Sequence, residues 1–170
     1  LRYPGIKKIV LCEIDQLVVD ASRRFFPHVA CGLDDPRVEV RIGDGIGYMK
    51  ELDAEADIVI VDSTDPVGPG EGLFTGEFYR SVAKALKKGG LMAAQSESPW
   101  ASKSSLQRIY QNISRGFSCI RPYIGPVPTY PRGLWSWTMA SNRQLSASDF
   151  QSERFSLFSE HCQYLTESAA

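Results

Sequence analysis

The sequence has few of the residues from which metal sites and disulfide frameworks are built. Its 170 residues include 2 histidines and 4 cysteines, and no two cysteines form a CxxC pair; they are Cys12, Cys31, Cys119 and Cys162. Structural zinc sites need closely spaced Cys and His ligands, and small disulfide-bonded domains need a denser set of cysteines. The composition therefore argues against both kinds of site.

An excess of charge of either sign is also missing. Lys and Arg number 19, Asp and Glu number 20, and the net charge is -1. Proteins that bind nucleic acid or anionic membranes through bulk electrostatics carry a basic surplus. We therefore expect no nucleic-acid partner.

Long apolar runs are absent as well, since none approaches the roughly 18 to 20 residues of a membrane span. Residues 1–8 do not follow the plan of a signal peptide. We therefore expect a cytoplasmic protein without a membrane partner. The 43% hydrophobic content is enough for one sizeable core, which predicts a single α/β domain over residues 1–170.

Strand patterns alternate with helix patterns along the chain. The predicted strands are residues 7–14, 38–42, 57–61, 91–95, 119–124 and 134–140. The predicted helices are residues 16–26, 45–52, 77–86 and 104–117, the first with apolar spacing through Leu17, Val18, Ala21 and Phe25. This order predicts an open, mainly parallel sheet, and the last two strands, joined by a turn-rich segment, predict an antiparallel edge.

Acidic or amide residues follow each of the first four predicted strands. They are Glu13 and Asp15, then Asp44, then Asp62 and Asp65, then Gln95 and Glu97. A lone Asp at such a place is equally explained as a helix cap, which applies to Asp15 or Asp44 alone. Ligands of these sheets bind beyond the carboxyl ends of the strands. Carboxylates at four ends, without Lys or Arg among them, favour a cationic or hydroxyl-rich ligand over a phosphate.

Between residues 9 and 140 the chain carries an ordered series of short motifs. They are CEID at 12–15, DPR at 35–37, GDG at 43–45, DSTDPVGP at 62–69, LF at 73–74, FY at 78–79, QSE at 95–97 and PTYP at 128–131. The series resembles the signature of the polyamine aminopropyltransferases, the family of the spermidine synthases. Segment 62–69 carries most of the specificity of this match.

The resemblance implies a methyltransferase-type Rossmann-like fold and a transfer reaction. An aminopropyl group would pass from decarboxylated S-adenosylmethionine to putrescine, giving spermidine and methylthioadenosine. The partners would be these two small-molecule substrates and a second copy of the chain, in a homodimer or homotetramer. No metal is implied, and no cofactor apart from the co-substrate decarboxylated S-adenosylmethionine.

For the nucleoside donor, the resemblance assigns three residues. Glu13 would accept hydrogen bonds from both ribose hydroxyls, because one carboxylate has two oxygens for two vicinal donors. Asp44 would accept from the adenine amino group, and Gly45 of the same motif would contact the same substrate.

For the amine, the resemblance assigns four residues. Asp62 would be the general base, and Asp65 would hold an ammonium group of the diamine. Gln95 and Tyr130 would line the diamine channel. The plainer alternatives are turn chemistry for Asp65 before Pro66 and a packed aromatic ring for Tyr130.

The sequence also departs from the family pattern. The family's glycine-rich first strand-turn-helix and small N-terminal β-domain are not among the 170 residues. We therefore expect the chain to form most of the catalytic domain of a longer enzyme and to be inactive when made alone. The missing strand would lie between the strands at 7–14 and 57–61, so its absence would expose two strand edges.

Two other functions compete with aminopropyl transfer. An S-adenosylmethionine-dependent amine N-methyltransferase has a related fold, but its donor keeps a carboxylate and needs a cationic or backbone donor group nearby. A catalytically inactive, nucleoside-binding partner subunit would not need Asp62, Asp65 and Tyr130, and all three are present.

Overall fold

A computed structural model of the chain describes residues 1–100, 103–130, 133–157 and 159–162. The chain divides into two compact units, one of Leu1–Gly45 with Ser146–Ala170 and the other of Ile46–Leu145. The single domain over residues 1–170 stays a prediction. Within the described ranges, no helix is long and apolar enough to cross a membrane.

The first unit contains a parallel pair of strands and short helices. The strands are β1 (Ile9–Glu13) and β2 (Val38–Ile42), paired in register from Ile9 with Val38 to Glu13 with Ile42. Between them lie the helices α1 (Gln16–Phe25) and α2 (Pro27–Ala30). Helix α1 begins where the Asp15 carboxylate accepts the Leu17 N–H at 2.8 Å. Asp15 is therefore a helix cap.

Helix α1 is confirmed, but its expected apolar side is not covered. Val19 is only 3% exposed, whereas Leu17, Val18 and Phe25 are 73%, 49% and 64% exposed. Apolar spacing defines a face of a helix but does not determine what packs against it. The apolar spacing therefore predicts the helix correctly but does not predict which of its side chains are buried.

The remaining elements follow in chain order. They are α3 (Gly45–Glu51), β3 (Ala56–Val61), α4 (Gly76–Ala85), β4 (Leu86–Gln95), α5 (Lys103–Ile113), β5 (Cys119–Pro126), β6 (Leu134–Ser141) and, in the first unit, α6 (Ser152–Ser156). In the second unit the strands form one sheet in the order β3-β4-β6-β5. Strands β3 and β4 are parallel, and β6 is antiparallel to both β4 and β5. The predicted antiparallel edge is confirmed.

Strand β4 begins five residues before the predicted start at residue 91. Its pairing with β3 jumps from Ala56–Leu86 to Ile58–Leu91, so several residues bulge opposite Asp57. The Lys87 ammonium binds the Asp57 carboxylate at 2.8 Å beside this bulge. Helix α4 correspondingly ends at Ala85, before the lysine and glycine pairs that the sequence suggested as its stop.

Helix α5 ends at Ile113 rather than at the predicted residue 117. The N–H groups of Gly116 and Phe117 both donate to the Ile113 carbonyl, at 3.0 and 3.1 Å, which closes a turn. A Cβ atom on Gly116 would lie 2.5 Å from the carbonyl oxygen of Tyr79 in α4. This close approach requires glycine and ends the helix against its neighbour.

The core of the second unit lies between α4, α5 and one face of the sheet. Its fully buried members include Tyr79 and Val82 of α4, Ile109 and Ile113 of α5, and Met92 of β4. Burial of these large apolar side chains stabilises the packing of both helices against the sheet. The same sheet carries the acidic residues that follow β3 and β4.

The other face of β3 is exposed. Val59 and Val61 pack against the core, whereas Ile58 and Ile60 are 55% and 74% exposed. In the described part of the chain, β3 pairs with β4 alone and its second edge has no partner strand. An unpaired edge beside exposed isoleucines favours pairing with another chain.

We therefore predict that the 170-residue polypeptide self-associates through β3. Ile60→Lys places a charge on the exposed face and is expected to lower the weight-average mass in sedimentation equilibrium. Gln111→Lys, at an exposed position of α5, adds the same charge and should leave the mass unchanged. Equal effects of the two substitutions would assign the association to net charge instead.

Candidate functional site

The acidic loop, residues 62–65, follows directly after β3. Asp62 and Asp65 are both exposed, and neither carboxylate accepts a hydrogen bond from another described residue. The Val67 N–H donates to the Asp65 carbonyl at 2.7 Å, and a Cβ atom on Gly70 would lie 2.6 Å from Thr64 Oγ1. The chain therefore makes a tight turn over residues 65–70, directly after the acidic loop. The backbone makes this turn, and the Asp65 side chain takes no part in it.

Gln95, the last residue of β4, holds the acidic loop. Its Nε2 group donates to the carbonyl oxygens of Ser63 and Thr64, each at 3.3 Å. Its Oε1 atom accepts from the Glu97 N–H at 3.1 Å and from the Trp135 Nε1–H at 3.2 Å. The residue is 5% exposed. Gln95 is therefore a buried brace between the loop, the end of β4 and β6.

Tyr130 lies in the connection between β5 and β6. Its N–H donates to the Val127 carbonyl at 2.9 Å, and its carbonyl accepts from the Gly133 N–H at 3.0 Å. The side chain is 47% exposed, and its ring meets the Trp135 ring edge-on with centroids 4.9 Å apart. One side of the Tyr130 ring is thus packed and the other is open, and its place in a diamine channel stays a prediction. Pro131 of the same motif lies outside the described residues.

Glu97 is a further acidic residue, to which the family resemblance assigns no role. Its backbone has a positive φ of 72°, a conformation that a residue with a side chain rarely adopts. Ser136 of β6 holds it there, because the Ser136 N–H and Oγ–H both donate to the Glu97 carbonyl, at 3.0 and 2.7 Å. Burial raises the pKa of the Glu97 carboxyl, and the nearby Asp65 charge raises it further. Its position two residues after the end of β4 is the sequence feature that indicates a residue at the ligand-binding end of the sheet.

Glu13 and Asp44 lie in the first unit, Glu13 as the last residue of β1 and Asp44 two residues after the end of β2. Glu13 Oε1 accepts the Asp15 N–H at 2.9 Å, and the Glu13 carbonyl accepts the Gly43 N–H at 2.9 Å. The Cys12 thiol lies near both carboxylates. Burial raises its pKa, Arg41 lowers it, and Asp44 and Glu13 raise it. Glu13, Asp44 and the adjoining Gly45 thus lie at the carboxyl end of this two-stranded parallel sheet.

The predicted residues therefore fall into two sets. In the second unit, Asp62 and Asp65 lie on the loop that Gln95 binds. Tyr130 contacts Trp135, which donates a hydrogen bond to Gln95. The first unit carries Glu13, Asp44 and Gly45. Among the described residues, no group of three or more His, Cys, Asp or Glu side chains is arranged to hold a metal ion.

Comparison with known proteins gives one consistent family. Residues 1–152 match the model of the spermine/spermidine synthase domain. A polyamine aminopropyltransferase of Desulforudis audaxviator (strain MP104C) is 48% identical over 142 residues, which cover 84% of this chain and 52% of that protein. The chain spans about half the length of the curated relatives it matches.

Solved structures agree with the sequence relatives. A spermidine synthase in complex with the transition-state analogue AdoDATO matches with a TM-score of 0.93 and 38% identity, over 99% of this chain and 58% of that one. The spermidine synthase of Thermotoga maritima matches with a TM-score of 0.91 and 37% identity, over 99% and 57% of the two chains. These matches confirm the predicted Rossmann-like α/β fold.

The raised pKa of Glu97 gives a direct test of the acidic cluster. Asp65→Asn removes one of the two causes that raise the Glu97 pKa, so this pKa is expected to fall but to stay above its usual range because burial, the largest cause, remains. Titration of the Glu97 carboxyl carbon by ¹³C NMR measures this. Asp57→Asn, at the opposite end of β3, is the control and should leave the titration unchanged. An unchanged Glu97 titration in Asp65→Asn would contradict the closeness of the two carboxyl groups.

Proposed function

The chain belongs to the spermine/spermidine synthase domain family, and we propose that it is part of an enzyme that transfers an aminopropyl group to a diamine. The donor is decarboxylated S-adenosylmethionine, the acceptor is putrescine, and the products are spermidine and methylthioadenosine. The polyamine aminopropyltransferases and spermidine synthases among the relatives support this activity.

The observation that carries the proposal is the concentration of negative charge in the second unit. Asp62 and Asp65 are both exposed with no hydrogen-bond donor from another described residue, and Glu97 lies close enough to Asp65 to be affected by its charge. An aliphatic diamine is a dication at neutral pH, because alkylammonium groups titrate near 10.4. A cluster of carboxylates is the kind of site that attracts such a molecule.

Asp65 and Glu97 hold the ammonium that does not react, and Asp62 serves the amine that does. The reacting nitrogen gives a proton to Asp62 and forms a bond to the carbon attached to the sulfonium. The carbon–sulfur bond breaks, and its electron pair converts the sulfonium to the neutral thioether of methylthioadenosine. Tyr130, which is half-exposed and packs against Trp135, lines the path of the diamine without adding charge.

The proton transfer limits how this site works. A carboxylic acid and an alkylammonium ordinarily differ by about six pKa units, or roughly 8 kcal/mol. Removal of water from the bound amine and the positive sulfonium nearby both lower the amine pKa. Aligning the amine with the carbon and excluding water are then the main tasks of the protein.

The donor nucleoside is the substrate of the first unit. Glu13 accepts from the ribose hydroxyls, since its carboxylate can serve two vicinal donors. Asp44 accepts from the adenine amino group, with Gly45 against the same substrate. The closeness of Glu13 and Asp44 to Cys12 supports their sharing one ligand. The homodimer or homotetramer and the cytoplasmic location stay predictions from the sequence.

The activity is tested by incubating the whole enzyme with decarboxylated S-adenosylmethionine and putrescine. Release of methylthioadenosine that depends on the diamine is the expected result. Methylation of the amine by S-adenosylmethionine would instead identify an N-methyltransferase. Nucleoside binding without either reaction would identify an inactive partner subunit.

Asp62→Asn is predicted to lower turnover by about 10² to 10⁴-fold, because asparagine keeps the size of the side chain but accepts no proton. Binding of methylthioadenosine, measured by calorimetry, should be unchanged. Asp57→Asn, five residues earlier in β3, is the matched control, and its turnover should equal that of the wild type. Near-normal turnover of Asp62→Asn would exclude Asp62 as the base.

Asp65→Asn and Glu13→Gln are predicted to have opposite ligand effects. The first loses a charge-assisted contact to ammonium, so the diamine KM should rise about tenfold while methylthioadenosine affinity is kept. The second should weaken methylthioadenosine about tenfold and leave the diamine KM unchanged. Steady-state kinetics and calorimetry measure the two effects. Equal losses of both ligands in Glu13→Gln would indicate that Glu13 only holds the end of β1.

A further inference from the structure

Trp135 contacts two of the residues assigned to the amine. Its indole N–H donates to Gln95 Oε1 at 3.2 Å, and its ring meets the Tyr130 ring at a centroid distance of 4.9 Å. It stands at the start of β6, directly before the Ser136 that holds Glu97. No motif or spacing in the sequence marks Trp135.

We propose that Trp135 is a positioning residue for the amine, acting through Gln95 on the acidic loop. This inference rests on the proposed function. Trp135 itself does not touch the reacting atoms. Its role is to fix the orientation of the Gln95 carboxamide, and thereby the place of Asp62 and Asp65.

The orientation of a carboxamide depends on its partners, because oxygen only accepts and nitrogen only donates. With Trp135 and the Glu97 N–H both donating to Oε1, Nε2 must face the carbonyls of Ser63 and Thr64. If the amide turned over, Oε1 would face two carbonyl oxygens and the loop would lose both bonds. The indole N–H thus selects the orientation that binds the loop.

Gln95 itself acts as a brace in this arrangement. Its four polar contacts go to the protein, and it is 5% exposed. Little of the side chain is left for a diamine. Its effect on the amine is therefore indirect, through the two backbone carbonyls that lie between Asp62 and Asp65.

The test is the pair Trp135→Phe and Trp137→Phe in the whole enzyme. Trp135→Phe keeps an aromatic ring beside Tyr130 but removes the N–H donor. Trp137 lies two residues along β6, its ring stacks on Tyr123 with centroids 5.7 Å apart, and its indole N–H makes no hydrogen bond with another described residue. The two substitutions remove the same atoms from neighbouring positions.

For Trp135→Phe we expect kcat/KM for the diamine to fall about three- to tenfold, the effect of losing one hydrogen bond. The dissociation constant of methylthioadenosine and the melting temperature should match those of Trp137→Phe, whose kcat/KM should stay within twofold of the wild type. A general packing defect would instead weaken both ligands and lower the melting temperature.

A double-mutant cycle with Gln95→Ala tests the route of the effect. If Trp135 acts through Gln95, Trp135→Phe should change kcat/KM by less than twofold once Gln95 is alanine. An equal fall in both backgrounds, or a Trp135→Phe enzyme that behaves like Trp137→Phe, would overturn the inference while leaving the proposed function intact. A wild-type enzyme without diamine-dependent methylthioadenosine release would overturn both.

Discussion

The Gln95 carboxamide is the interaction on which the acidic end of the second unit depends. One side chain, 5% exposed, joins the end of β4, the start of β6 and the loop after β3 through four hydrogen bonds. Each bond adds about 1 kcal/mol, but removing the amide would leave several buried polar groups unpaired, which costs more. Three segments distant in sequence are thereby held at fixed distances. The two aspartates need this support, because their own side chains make no hydrogen bond to another described residue.

Glu97 has a backbone conformation and a side-chain environment that are both unfavourable for a glutamate. A left-handed backbone at a non-glycine residue costs on the order of 1 to 2 kcal/mol. The Glu97 carboxyl also lies partly buried beside a like charge, and both conditions disfavour its ionised form. The two hydrogen bonds from Ser136 offset the backbone cost. A bound cation would relieve the repulsion between the Glu97 and Asp65 carboxylates.

The sequence predicts the elements of this fold better than their contacts. Short apolar runs located the strands, and the rule that ligands bind at the carboxyl ends of parallel strands located Asp62 and Asp65. The exposed side of α1 and the early end of α5 escaped prediction, because they depend on what packs against Leu17 and on the approach of Gly116 to Tyr79. The role of Trp135 escaped for the same reason. Its partner Gln95 is 40 residues away in the chain, and no periodic pattern encodes such a pair.

Exposure decides how much each carboxylate contributes to selecting a cation. Water and salt screen the charges of exposed side chains such as Asp65, so an ion pair there becomes stronger as a bound amine excludes water. Glu97 is partly buried, and burial is the main cause of its raised pKa. Its charge is less screened, so in the proposed site an ammonium between the two carboxylates would interact with Glu97 as well as with Asp65. The two hydrogen bonds from Ser136 to the Glu97 carbonyl therefore fix the position of the less screened of these two charges.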